Sequence, residues 1–273
     1  MNLTNLIIGC GYLGQRLLPL LQDEHCWFTH RSENLSGEGE KKNTHQLIID
    51  INDEKSWRHI KQLSEKQDVI IYFMVPPGKI ERTLFPDFIQ QLNQLNIKAS
   101  ILISSTVVYG NKDRVVDADS EVKIDSERAE RQYQVEQAWL ENMKNGSVIR
   151  LAGIYGPKRV IGRNGIINNE IINGDPDGWL NLIHVDDAAQ LVKRISEVSQ
   201  SKRIELGCDG FPVKRYDYYS FLAEQLKQAD PKFNKDGSTR GTGRRCDNNI
   251  TITRTGWRPE HTDFRKALLN LIT

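Results

Sequence analysis

A chain of 273 residues is long enough to bury a full α/β core and too long for a minimal binding module. Hydrophobic residues at 38% and charged residues at 27% exclude a disordered polymer, and 37 Lys+Arg against 36 Asp+Glu leave a net charge of +1, too weak a global field to recruit nucleic acid or an anionic membrane.

Short apolar runs alternate with amphipathic segments through the first half. Leu6-Ile7-Ile8 reads as the first strand, and Leu13 to Leu21 as a helix with Leu13, Leu17, Leu18 and Leu21 on one face. Cys26 to Thr29 is the second strand, and the polar stretch Ser32 to Gln46 crosses the surface to a third, Leu47-Ile48-Ile49. Val69 to Met74 is a continuous apolar run of the kind buried on both faces, stopped by Pro76-Pro77-Gly78. A helix over Leu84 to Leu95, a fifth strand at Ser100 to Ile103, a charged helix from about Asp125 to Lys144 and a sixth strand at Ser147 to Leu151 follow. Beyond Gly156-Pro157 the periodicity weakens. It leaves a helix at Ile166 to Ile172, a strand near Leu180 to Val185, a helix from Asp186 to Val198, a Tyr-rich helix from Tyr216 to Gln228 and a loop from Asn234 to Asn249.

Val69 to Val75 is the longest apolar stretch, far short of the roughly 20 residues that span a bilayer, so no membrane association is expected. The first apolar run has no basic residue before it, which argues against a signal peptide. Cys10, Cys26, Cys208 and Cys246 form no CxxC pair, which suits the reducing cytoplasm, and the six histidines lack metal-ligand spacing, so no metal site is expected.

Gly9-Cys10-Gly11-Tyr12-Leu13-Gly14 is a G-x-G-x-x-G pattern directly after a strand and at the start of a helix, the context in which it binds a dinucleotide. Gly9 permits the tight turn, Gly11 lets the backbone approach a diphosphate, and Gly14 lets the helix pack on the strand. Tyr12 and Leu13 open the helix, where unpaired N–H groups face the anion. With the βαβ alternation, this motif makes the expected fold an α/β Rossmann-type doubly wound parallel sheet. Residues 1–160, completed by about 180–207, form the dinucleotide-binding domain.

The second strand ends Thr29-His30-Arg31-Ser32. Arg31 can fork onto a ribose 2′-phosphate, with Ser32 or His30 adding a donor, so NADP is expected and NAD is the alternative, since Glu33 follows closely. Asp50, at the end of the third strand, either accepts from an adenine amino group or ends the strand as a turn residue.

Ser104-Ser105-Thr106-Val107-Val108-Tyr109-Gly110, Glu136-Gln137-Ala138-Trp139-Leu140, Arg150 to Pro157 and Ile183 to Ala189 follow the glycine loop in the order seen in extended short-chain dehydrogenases/reductases. The chain resembles that epimerase/dehydratase superfamily, and Arg244 to Asn249 with Thr255-Gly256-Trp257 is similar to the ending of an atypical branch. The resemblance implies a small C-terminal substrate-binding lobe, 161–179 with 208–273, and cofactor contact at Ser104, and it makes Ser105 the hydroxyl that orients the reacting group. Counted back from Glu136, the family's catalytic Lys position falls on Gln132 and its Tyr position on Arg128, neither of which supplies that chemistry. Tyr133, turned about 100° from the family position on the same helix, is either a substitute acid or a packed helix tyrosine. Thr106 and Val107 stand where the dehydratases carry acids, so elimination by that route is not expected, and Asp186 is read as a helix cap.

The expected function is an NADP-dependent oxidoreductase or epimerase acting on a small carbonyl or sugar-derived molecule. The alternative is a non-catalytic NADP-binding sensor or scaffold, favoured by the missing Tyr/Lys pair. Nucleic-acid binding through Arg240, Arg244 and Arg245 is not expected, because Asp236 and Asp247 flank them and no aromatic interleaves. The segments Phe85 to Leu95 and Ala129 to Lys144 correspond to a frequent dimer surface in the family, so a homodimer is among the assemblies the resemblance allows.

Overall fold

Runs of β-branched and apolar residues become a seven-stranded sheet in the computed structural model, which describes residues 3–21, 25–30, 43–63, 68–198, 203–237, 239 and 243–272. In chain order the strands are β1 (Leu3–Ile8), β2 (His25–His30), β3 (Thr44–Ile48), β4 (Asp68–Phe73), β5 (Ile97–Ser105), β6 (Gly146–Leu151) and β7 (Ile204–Gly207). They lie in the order β7-β6-β5-β4-β1-β2-β3, and the pairs β1–β2, β2–β3, β1–β4 and β4–β5 are parallel. Strand order reverses at β1. The connections after β1 and β4 therefore leave in opposite directions and open a crevice at the carboxyl ends of these strands. Both strands bury every residue after their first, as the middle of a sheet covered on both faces must. This is the doubly wound α/β fold that the alternating pattern implies.

The helices associated with these strands are α1 (Tyr12–Leu17), α2 (Glu54–Trp57), α3 (Phe85–Leu92), α4 (Glu127–Asn142) and α5 (Val185–Glu197). The helix expected over Leu13 to Leu21 is α-helical only to Leu17 and continues as a 3-10 turn over Leu18–Leu21, because Pro19 has no N–H for the longer bond. Glu54–Trp57 forms a helix the periodicity missed, opened by an Asp53 side chain that accepts from the Lys55 amide at 3.1 Å. Helix α3 is shorter than the expected Leu84 to Leu95, and it buries Phe85, Phe88, Ile89 and Leu92 at helical spacing. Phe73 of β4 packs against the rings of Phe85 and Trp139 at 5.4 and 5.3 Å.

The residues group into two compact units. Unit 1 comprises Met1–Ser104, Arg131–Ile149 and Ala189–Ile204, and its core is the apolar cluster around Ile71, Phe73, Phe88 and Trp139. Unit 2 comprises Ser105–Glu130, Arg150–Ala188 and Glu205–Thr273, with a core built on Tyr155, Leu182, Tyr218, Leu222, Phe264 and Leu268.

In unit 2 the expected helix at Ile166 to Ile172 is instead Arg163–Ile167. Asn169 sits at φ 53° and turns the chain, which frees Ile172–Asn173 to pair with Phe233–Asn234. The expected loop from Asn234 to Asn249 contains a short strand, Arg245–Cys246, that pairs in parallel with Val115–Val116. The expected surface crossing from Ser32 to Gln46 lies mostly outside the described residues, and its last part is already strand, since β3 begins at Thr44.

Candidate functional site

The glycine loop occupies the carboxyl end of β1, and each glycine has its own physical reason. Gly9 holds φ 81°, and a Cβ there would stand 2.8 Å from Val75 Cγ2. At Gly14 a Cβ would meet Cys10 Sγ at 3.0 Å and Ile7 Cγ2 at 3.3 Å, so a side chain would push α1 off the strand. A Cβ on Gly11 would meet only Gly9 O, at 3.9 Å, and would project into open space.

The loop is tied to the end of β2. Gly9 N donates to Thr29 Oγ1 at 3.0 Å, Cys10 N to Thr29 O at 3.2 Å, and Gly11 N to Gly9 O at 2.7 Å. With those three amides engaged, the next amides along the chain are those of the first turn of α1. The ladder there starts with Gln15 N to Gly11 O at 2.9 Å, leaving Leu13 and Gly14 ahead of it. Thr29 was not singled out by the sequence pattern, since a threonine in a strand carries no signature of such a role.

A cleft of about 220 Å³ opens beside this loop. Gly9, Cys10 and Gly11 form its floor, Thr29, His30, Ile49 and Ile51 reach it from the ends of β2 and β3, and Val75, Pro76 and Lys79 reach it from the connection after β4. Burial lowers the pKa of His30, whose imidazole is therefore neutral near pH 7. Cys10 is buried, and that burial, with the neighbouring Cys26, raises its thiol to about 12. Arg31 and Ser32 lie outside the described residues. Asp50 makes a turn: its Oδ1 accepts from Asn52 N at 3.0 Å, and its carbonyl accepts from Ser56 Oγ at 2.8 Å and Trp57 Nε1 at 3.2 Å.

At the end of β5, Ser104 is buried and its hydroxyl donates to Oε1 of Glu136, a fully buried carboxylate of α4. Gln132, one turn before Glu136, is also buried, and its Nε2 has no partner among the described residues. Tyr133 is half-buried on the same helix. Glu136 served the sequence reading only as a counting mark, because a single acid on a charged helix gives no sign that it faces inward. In unit 2, Ser105 caps the following 3-10 turn, its Oγ accepting from Val107 N at 3.3 Å, and Arg128 is exposed in the first turn of α4.

Unit 2 also assembles a cluster with no signature in the sequence. His184 and His261 stack with ring centroids 3.8 Å apart, and His261 Nδ1 lies 3.2 Å from Asp187 Oδ1. Asp187 also accepts from the amides of Glu260 and His261 at 3.0 and 2.9 Å, so this fully buried acid fastens a distant segment to the start of α5. The helix starts at Val185, so Asp186, expected as its cap, instead sits inside the first turn. Nearby Asp209 is pushed up to about 8 by burial, opposed by its bond from Phe211 N and reinforced by the charge of Asp187.

Among the described residues no helix is long and apolar enough to cross a membrane, and no group of three or more His, Cys, Asp or Glu is placed to hold a metal ion.

No protein-family model and no curated protein matches the chain. Solved structures do match it. A functionally unknown conserved protein from Silicibacter pomeroyi is 21% identical at TM-score 0.78, with 98% of each chain covered. A UDP-N-acetylglucosamine 4-epimerase from Methanobrevibacter ruminantium, solved with UDP-N-acetylmuramic acid, is 16% identical at TM-score 0.78 over 100% of this chain and 98% of its own. A dTDP-glucose 4,6-dehydratase from Bacillus anthracis, solved with NAD, is 14% identical at TM-score 0.79 over 99% of this chain and 95% of its own. Over nearly its whole length the chain therefore has the fold of epimerase/dehydratase proteins.

Proposed function

We propose that this chain binds a nicotinamide dinucleotide in the cleft beside Gly9–Gly11, NADP in preference to NAD, and acts as an oxidoreductase or epimerase on a small carbonyl or sugar-derived substrate. The observation that carries the reading is the position of Gly11: it lines the cleft, and a Cβ there would occupy open space that a diphosphate needs. The amides of Leu13 and Gly14 donate to that diphosphate, while Thr29 holds the loop in shape from behind. Ile49 and Ile51 supply apolar surface for the adenine, and Arg31 and Ser32, next in sequence after His30, are assigned to the ribose phosphate. A bound nicotinamide ring would give or accept a hydride. Ser105 orients the reacting oxygen, and Tyr133 or a water carries the proton.

A second reading, a sensor or scaffold that binds the dinucleotide without turnover, is favoured by one observation. The positions that would carry the family's proton-transfer pair hold an exposed arginine, Arg128, and a buried amide, Gln132.

Both readings are tested by titrating the protein with NADPH and then assaying its oxidation against a panel of carbonyl compounds. Turnover that disappears in Ser105→Ala supports the enzyme. Tight NADPH binding without turnover, with activity gained by Arg128→Tyr combined with Gln132→Lys, supports the sensor. Absence of dinucleotide binding overturns both.

A further inference from the structure

The connection after β4 brings a cation to the cleft. Lys79 ends a 3-10 turn over Pro77–Lys79 and lines the same cleft as His30. Its carbonyl accepts from Asn52 Nδ2 at 2.9 Å, and Glu81 N donates to Asn52 Oδ1 at 2.8 Å. Asn52 follows β3, so the connections after β3 and β4 are fastened together across the ends of β1 and β2. That places Lys79 toward the Ile49 and Ile51 part of the cleft rather than at the first turn of α1. No carboxylate pairs with its ammonium among the described residues. A lysine left without an acid beside a cleft serves as a point charge for an anionic ligand group.

NAD and NADP share the diphosphate, for which the glycine loop and α1 already provide. Only NADP carries a further phosphate, on the adenosine ribose, and a charged group there is met best by a charge-assisted hydrogen bond. His30, held neutral by burial and set edge-on to Phe28 at 5.3 Å, can donate a hydrogen bond at that end of the cleft without adding charge.

Resting on the dinucleotide reading above, we propose that Lys79 is a specificity residue that meets the ribose phosphate of NADP, assisted by His30. The side chain is exposed and its backbone bonds do not involve the ammonium, so substitution leaves the fold intact.

The test is equilibrium titration of the full chain with NADP, NAD, 2′,5′-ADP and 5′-AMP, followed by tryptophan fluorescence or calorimetry. Lys79→Gln is expected to weaken NADP and 2′,5′-ADP about tenfold and to leave NAD and 5′-AMP within about twofold, while Lys79→Arg retains most of the NADP affinity. Equal losses for all four ligands place Lys79 on a group they share and overturn the proposal, as does unchanged affinity for NADP. A wild-type protein that binds NAD but not NADP overturns it too, while leaving the dinucleotide reading in place. Binding of neither overturns both.

Discussion

Gly9, Gly11 and Gly14 stand within six residues of one another, yet substitution at each should fail for a different reason. Gly14 faces Cys10 and Ile7 at contact distance, so Gly14→Val is expected to cost about 1–3 kcal/mol of stability by overpacking. Gly11 faces open space, so Gly11→Ala is expected to leave stability within about 0.5 kcal/mol while weakening dinucleotide binding. Urea denaturation and NADPH titration of the two variants separate a packing glycine from a ligand-facing one. Equal stability losses would make both glycines structural and take away the main support for the binding proposal. These positions were legible in the sequence because the three glycines fall at fixed spacing between a strand and a helix. Lys79 was not, since a lone lysine after a proline turn carries no local mark, and only the contact of Asn52 with residues 79 and 81, nearly thirty positions away, locates it.

Among elements, a buried polar contact helps tie β5 to α4. The Ser104 hydroxyl donates to the fully buried Glu136, so Ser104→Ala strips a buried carboxylate of a donor and is expected to cost about 1.5–3 kcal/mol, read by chemical denaturation. A loss below about 0.5 kcal/mol would mean that water reaches Glu136 in its place. Strands β1 and β4 were readable because a strand buried on both faces must be apolar throughout. The two-residue strands of unit 2 were not, because pairs such as Val115–Val116 with Arg245–Cys246 join segments about 130 residues apart with no periodicity to reveal them. Helix ends shifted for local reasons as well, Pro19 in one case and the left-handed Asn169 in another.

For the whole molecule, the buried carboxyl of Asp209 gives stability a pH dependence of unusual sign. The folded chain keeps this proton up to about pH 8, whereas the unfolded chain releases it near its ordinary value of 3.8. Between these limits the unfolded state binds fewer protons, so the contribution of Asp209 is fully present below the lower limit and declines as pH rises through the upper one. The slope approaches about 1.4 kcal/mol per pH unit for one group, and Asp209→Asn is expected to remove it. Denaturation of both proteins between about pH 5 and pH 8 checks this; parallel curves would mean that Asp209 ionises normally. The sulfur in the glycine turn is governed by burial instead. Because burial keeps the Cys10 thiol protonated to about 12, alkylating reagents and mild oxidants find no thiolate there at neutral pH. The turn that cradles the proposed diphosphate is thus chemically inert, and its grip on a ligand is indifferent to the redox state of its surroundings.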